Sequence, residues 1–432
     1  MDDFLGVALG YFYHWTYEIL GIAWFAAALI VRGLGANSNK DSSRAGFERS
    51  LRRIKKKLKD ETVVVYEREL ASRKEAALSD EPSRRSRVAS STVARFRSAS
   101  PVVGAIASDP PIIPVPNFAS VAVHFATNRK GRGDGDFGDE LSEGLNFGMA
   151  EVTIPRSHEM GVIEKPRWTR LEFRLDPDRH MTLGSLLSQE QQEFLSMVGE
   201  RLRDSEDSEI LVFIHGYRTS FKDAALRTGQ LHWDLKFKGV PVLFSWPSQA
   251  SLLEYQPDTE MAEIAARHLE NLLVMLSTLP DLACMHVIAH SMGNRPLLRT
   301  LHRLAQSKDS RFREIILASP DISVPLFEQL AENFPRPARR VTLYANRSDF
   351  ALMMSQALNG LPRAGHGAVA AAGMETIDAS AVDLDFLAHS GFGDNRVVMN
   401  DLARVLAGDP PDRRINILPV EHGDGRYWAF RP

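Results

Sequence analysis

An α/β fold, with a mostly parallel central sheet covered by helices on both faces, is predicted for residues 118–432. Two observations predict it. Short apolar runs of five to seven residues alternate with amphipathic helical stretches, and the runs are continuously apolar, as strands buried on both faces are. One of these runs also leads straight into a small-residue turn and a helix, at His286-Val-Ile-Ala-His-Ser-Met-Gly-Asn294.

In chain order, Ser120–Ala126 alternates like a strand, and Glu151–Pro155 and Thr169–Phe173 follow as strands. Glu190–Asp204 has helical spacing. Strand and helix then alternate: Ile210–Ile214 and Ser220–Lys236, Val240–Ser245 and Asp258–Leu279, Met285–Ala289 and Gly293–Gln306, Glu314–Ala318 and Leu326–Asn333. Strands at Arg340–Tyr344 and Glu375–Asp378 precede a last helix over Asp394–Leu406. No internal repeat is visible.

The chain has 432 residues, too many for one ordinary domain, so further segments beside a catalytic-sized unit are expected. Its formal net charge of −3 offers no overall attraction to nucleic acid. The single cysteine, Cys284, excludes an internal disulfide and suits a reducing compartment. It lies in an apolar run, reads as a buried strand residue, and has no neighbour that would lower its pKa.

Residues 1–33 are almost wholly apolar, and Tyr11–Val31 is long enough to span a bilayer, with Glu18 as its one charge. A cleaved signal is disfavoured by Asp2 and Asp3 where a basic start belongs. The expectation is a membrane anchor; the alternative is an apolar helix packed on the body or in an oligomer. Residues 34–117 form a second region. Eight Lys or Arg lie between Arg44 and Lys59, with Phe47, Leu51, Ile54 and Leu58 at helical spacing among them. Positive charge beside an apolar span resists translocation, so the following chain is expected on the cytoplasmic side of a bacterial inner membrane, or free in the cytoplasm if no span forms. Ser79–Asn117 is rich in Ser, Arg and Pro and reads as a linker.

The chemistry centres on Ser291. Strand, serine and helix in direct succession form the nucleophile elbow of the α/β-hydrolase fold, G-x-S-x-G with Ala289 for the first glycine. The turn is sharp, so Ala289 and Gly293 must be small, and the helix start favours a developing oxyanion. Upstream, Leu211-Val-Phe-Ile-His-Gly-Tyr-Arg218 ends a strand in His-Gly. The backbone N–H groups of Tyr217 and Met292 are the candidate oxyanion donors, and His215 reads as structural. A serine hydroxyl needs a histidine to take its proton and an acid to orient that histidine, in the chain order nucleophile, acid, histidine. Asp349 follows a late strand and is the candidate acid, with Asp321 the alternative. Of His366, His389 and His422, only His389 lies between the last strand and the last helix, and it is the candidate base.

Six segments together resemble one family: Phe125-Ala-Thr-Asn-Arg129, Phe213-Ile-His-Gly-Tyr217, Phe244-Ser-Trp-Pro-Ser248, Ile288-Ala-His-Ser-Met-Gly-Asn294, Ala318-Ser-Pro-Asp-Ile322 and Leu343-Tyr-Ala through Ser348-Asp-Phe-Ala-Leu352. The chain from Val121 onward resembles the uncharacterised bacterial α/β-hydrolases of the esterase/lipase superfamily. The resemblance implies a triad of Ser291, His389 and Asp349. The family usually has two aromatic residues just after the His-Ser pair, where this chain has Ser390-Gly391-Phe392-Gly393.

The expected activity is hydrolysis of a carboxylic ester, of a lipid or acyl chain if the N-terminus is an anchor. Amidase, thioesterase or acyltransferase chemistry on the same groups, or a membrane-tethered scaffold without catalysis, are the alternatives. The histidines form no ligand pattern, so no metal and no cofactor are expected, and nucleic acid is not an expected partner.

Overall fold

The computed structural model describes residues 116–133, 136–166, 172, 174–249, 255–305, 311–332, 338–367, 373–382, 395–422 and 425–431. The chain parts into two units, Met1–Ile113 and Pro114–Pro432. The first unit, with the anticipated span Tyr11–Val31, the basic stretch and most of the linker, lies outside the described residues. Among the described residues no helix is long and apolar enough to cross a membrane.

The second unit opens with three strands, β1 (Phe118–Gly131), β2 (Phe137–Pro155) and β3 (Thr182–Gln189), paired antiparallel in sequence. The alternating part begins with α1 (Gln191–Asp204) and β4 (Glu209–Ile214), followed by α2 (Phe221–Asp234), β5 (Val240–Ser245), α3 (Tyr255–Ser277) and β6 (Cys284–His290). It continues through α4 (Asn294–Leu304), β7 (Phe312–Ala318), α5 (Val324–Ala331), β8 (Ala338–Ala345), α6 (Phe350–Asn359), β9 (Glu375–Asp378) and α7 (Asn395–Leu406). A hairpin of β10 (Ile417–His422) and β11 (Gly425–Phe430) ends the chain.

Among the described residues these strands make one sheet in the order β10-β11-β9-β8-β7-β6-β4-β5-β1-β2-β3. Seven of its ten pairings are parallel, the antiparallel ones lying toward the two ends. β4 shows why both faces need covers. Successive side chains point to opposite faces, and Ile210, Val212 and Ile214 join a core with Phe194 of α1, Leu269 of α3 and Leu297 of α4. Leu211 and Phe213 join the other core, with Leu226 of α2 and Met399 of α7. A strand apolar on both faces therefore shows no alternation, which is the signal the sequence carries.

The order β6-β4-β5 places the chain reversal beside β4: β5, the next strand, lies on one side of β4, and β6, which follows β5, lies on the other. Loops at the carboxyl ends of strands part at such a switch point and leave a crevice there. The loop after β4 and the turn after β6 both lie at this point.

Four elements were not anticipated from sequence: β3, α6 and the two strands of the terminal hairpin, β10 and β11. The expected strand Thr169–Phe173 falls almost wholly outside the described residues.

Candidate active site

Ser291 follows β6 directly and has φ +50°, the left-handed region that a residue with a Cβ enters at a cost of about 1–2 kcal/mol. A short 3-10 turn, Ser291–Gly293, then feeds α4. Asn294 holds the turn. Its Nδ2 donates to the carbonyls of Ser291 at 2.9 Å, Ala318 at 3.2 Å and Ala289 at 3.3 Å. The Ser291 carbonyl also accepts from the Asp321 amide at 3.1 Å. Ser291 itself is half-buried.

Two glycines are required by close approach. A Cβ on Gly293 would lie 2.3 Å from the His215 carbonyl, and one on Gly216 would lie 2.9 Å from Cβ of Ser291. The loop carrying Tyr217 is thus pressed against the turn that holds Ser291. Met292, the other expected donor residue, is fully buried at the head of the turn.

A buried guanidinium fastens this loop. Arg129, at the carboxyl end of β1, donates through Nη2 to the Thr219 carbonyl at 2.6 Å, through Nη1 to the Gly138 carbonyl at 2.9 Å and through Nε to Ser245 Oγ at 2.9 Å. Burial pulls its pKa down to about 9. Near it, Asp258 of α3 accepts from Ser248 Oγ at 2.6 Å and from the Gln249 amide at 2.8 Å, and burial raises its carboxyl to about 6. His215 is stacked on Trp246 with ring centroids 5.2 Å apart. Its Nδ1 lies 2.8 Å from the Gly216 carbonyl, and its Nε2 accepts from the Trp246 amide at 3.1 Å. Burial first, and Arg129 second, lower its pKa to about 3. A neutral imidazole with the proton on Nδ1 satisfies both contacts, so His215 is a brace rather than a proton carrier. The segments Phe125–Arg129 and Phe244–Ser248 are therefore the frame behind the loop. Sequence reading singled them out as motifs and gave Arg129 and Asp258 no role, because a buried arginine is indistinguishable from a surface one without its neighbours.

The two candidate acids differ in surroundings. Asp321, after β7, is buried; its Oδ1 accepts from Ser355 Oγ at 2.6 Å and lies 3.4 Å from Arg363 Nε, an ion pair without hydrogen-bond geometry. Its carbonyl accepts from Arg295 Nε at 3.0 Å. Asp321 is thus tied to α6, to Arg363 and to the elbow. Asp349, after β8, is half-buried and caps α6, its Oδ1 accepting from the Leu352 amide at 3.0 Å. His389 lies outside the described residues. His366 is described: it ends the 3-10 turn Ala364–His366, whose Gly365 packs on Ser319 and donates to the Pro320 carbonyl at 3.0 Å.

Cys284 is half-buried rather than buried, because it is the first residue of β6, at the end of the strand opposite Ser291. Burial and then Glu209 push its thiol up to about 12, which makes it a poor nucleophile. With Glu209 and His286 it forms the one group among the described residues whose ligand atoms, within 4.8 Å of one another, could hold a metal. Arg313 Nη1 sits 2.7 Å from Glu209 Oε1 and already supplies a cation there.

Residues 190–408 match the family model described as alpha/beta hydrolase of unknown function (DUF900). No curated protein matches the chain.

Proposed function

Since this chain belongs to the alpha/beta hydrolases of unknown function (DUF900), we propose that it is a serine hydrolase that cleaves carboxylic esters through an acyl-enzyme on Ser291. One observation carries the reading: a serine strained to φ +50° at the end of a parallel strand, with Gly216 and Gly293 crowded against the turn. A serine that merely capped a helix would need neither the strain nor the crowding.

In the proposed reaction His389 takes the proton of Ser291 Oγ as the oxygen attacks the ester carbonyl. The amides of Tyr217 and Met292 stabilise the oxyanion, and Asp349 orients His389 and stabilises its imidazolium. Collapse of the tetrahedral intermediate breaks the bond to the alkoxy group, which leaves with the proton from His389. Water, deprotonated by His389, then attacks the acyl-enzyme, releases the acid and restores Ser291. Asp321 is assigned a bracing role, in keeping with its bonds to Ser355 and Arg295.

Labelling by a fluorophosphonate, which reacts only with an activated serine, tests the reading together with a panel of acyl esters of rising chain length. Wild-type protein should label and Ser291→Ala should not. A folded wild type that neither labels nor turns over any ester would leave the scaffold reading. Faster turnover of amides or thioesters than of matched esters would reassign the leaving group.

For the N-terminal region we propose that Tyr11–Val31 is an anchor with the hydrolase domain on the cytoplasmic side. The support is the asymmetry between Asp2 and Asp3 before the span and the basic cluster Arg44–Lys59 after it. Release from membranes by high salt without detergent would overturn the anchor, and digestion of the domain by protease added to spheroplasts would reverse the orientation.

A further inference from the structure

The terminal hairpin carries a feature that the proposed reaction does not use. Between the 3-10 turn Pro411–Arg413 and the hairpin of β10 and β11 is a cavity of about 440 Å³, within the range of small-molecule sites. Four arginines line it against one acid, Asp412. Two of them are already paired: Arg426 with Glu421 at 2.7 Å, and Arg414 with Asp401 at 3.1 Å and Glu375 at 3.3 Å. Arg414 is buried, and its Nε still has no hydrogen-bond partner. The guanidinium groups of Arg413 and Arg431 are exposed and make no hydrogen bond or ion pair with any described residue. Beside these cations the same cavity is lined by Ile415, 75% exposed, Leu418, 45% exposed, and the half-buried Trp428. Ile415 is more exposed than any other large apolar side chain among the described residues.

Free cations and bare hydrocarbon in one concavity call for a ligand that has both an anionic head and an apolar body. We propose that this cavity binds an amphiphilic phosphate, its phosphate on Arg413 and Arg431 and its hydrocarbon on Ile415 and Leu418. Phosphate suits the site better than a carboxylate. It carries a charge of about −1.5 to −2 at neutral pH and has three acceptor oxygens for several guanidinium donors. Ile417 pairs with Phe430 and Ala429 with Asp378, so the start of β10 and the end of β11 lie on the rim where β6 delivers Ser291. Five strand spacings separate β10 from β6, about 24 Å across the sheet. The cavity is therefore a second site on the catalytic rim and not the place of bond cleavage. Its source of phosphate is either a lipid headgroup or a soluble phosphorylated compound.

The test is titration calorimetry of the full chain with octyl phosphate, 1-octanol and inorganic phosphate, and co-sedimentation with phosphatidylcholine vesicles with and without phosphatidic acid. Octyl phosphate should bind one to one. Arg413→Gln/Arg431→Gln should weaken it at least about tenfold, Ile415→Ser/Leu418→Ser should also weaken it, and Asp412→Asn should tighten it. Competition by inorganic phosphate assigns the site to a soluble phosphate compound. Absence of competition, with vesicle binding that depends on phosphatidic acid and falls in the double arginine variant, assigns it to a headgroup; the N-terminal region is common to both proteins and cancels. All five positions are on the surface and outside the catalytic groups, so turnover of a short soluble ester should be unchanged. Failure of octyl phosphate to bind, equal binding of 1-octanol, or unchanged affinity in the double arginine variant would overturn the proposal, whatever the esterase result.

Discussion

Gly216→Ala probes the loop that is pressed against Ser291. The new methyl would stand 2.9 Å from Ser291 Cβ, 3.0 Å from His290 Nδ1 and 3.1 Å from the His290 carbonyl. Carbon atoms in good contact sit about 3.5–4.0 Å apart, so the loop must retreat by roughly 0.6–1 Å. The Tyr217 amide is the next residue and retreats with it. Misplacement of a reacting group by about 1 Å can cost on the order of 10²-fold, and loss of one oxyanion donor about 10²–10³-fold. The expectation is therefore a fall in kcat of about 100-fold, or roughly 2.7 kcal/mol, with KM nearly unchanged because the contact forms in the transition state. Overpacking should also lower stability by about 1–3 kcal/mol. Steady-state kinetics on a short p-nitrophenyl ester and a thermal melt read both quantities. Gly199→Ala in α1 is the control: its Cβ would meet nothing nearer than 3.7 Å, so it should leave kcat intact and stabilise by about 0.5–1 kcal/mol. If Gly216→Ala turns over within about twofold of wild type while folded, the loop does not supply the oxyanion donor.

Ser291→Ala should reduce ester turnover by several orders of magnitude without a loss of folding, and near-normal turnover would remove Ser291 from the reaction. Asp349→Asn should cost about 10⁴ in kcat and little stability, since Asn also caps α6; Asp321→Asn should do the reverse, and the opposite ranking moves the acid to β7. His389→Ala should abolish fluorophosphonate labelling and His366→Ala should not, and labelling that survives only in the former exchanges their roles. His158 bridges Asp234 at 2.8 Å and Glu164 at 3.0 Å; burial acts to lower its pKa, but the hydrogen bonds to the two acids outweigh it and raise it to about 9. The stability this contributes, on the order of 3 kcal/mol, is fully present below the unfolded value near 6.5 and is lost as pH rises through about 9. Urea midpoints between pH 6 and 10 should fall in wild type and flatten in His158→Leu, and parallel curves would exclude the bridge as the cause.

The central strands were legible because a strand buried on both faces has to be apolar throughout, as Ile210–Ile214 and Met285–Ala289 are. The elbow was legible because only small residues fit beside Ser291, and Gly216 and Gly293 are spaced accordingly. Less legible was whatever depends on distant neighbours. β3 reads Thr-Leu-Gly-Ser-Leu-Leu-Ser-Gln, half of it facing solvent, and carries little apolar signal. The terminal hairpin has a usable sign in Gly423-Asp424-Gly425 between two runs rich in β-formers. Arg129 and Asp258 owe their importance to a burial that composition cannot reveal, and the Asp321 brace depends on Ser355 and Arg363, more than thirty residues away.

That brace has a consequence for how changes combine. Ser291 is bonded to Asp321, Asp321 to Ser355, and Ser355 lies in the helix that Asp349 begins. The proposed nucleophile and the proposed acid come from strands two places apart in the sheet, yet one short chain of hydrogen bonds joins their positions. A displacement at one end is passed to the other, so positional errors at the two groups are correlated rather than independent. Changes at Ser355 or Arg363, neither of which takes part in proton transfer, would then shift both groups together, and their effects would not add to those of changes at Asp349.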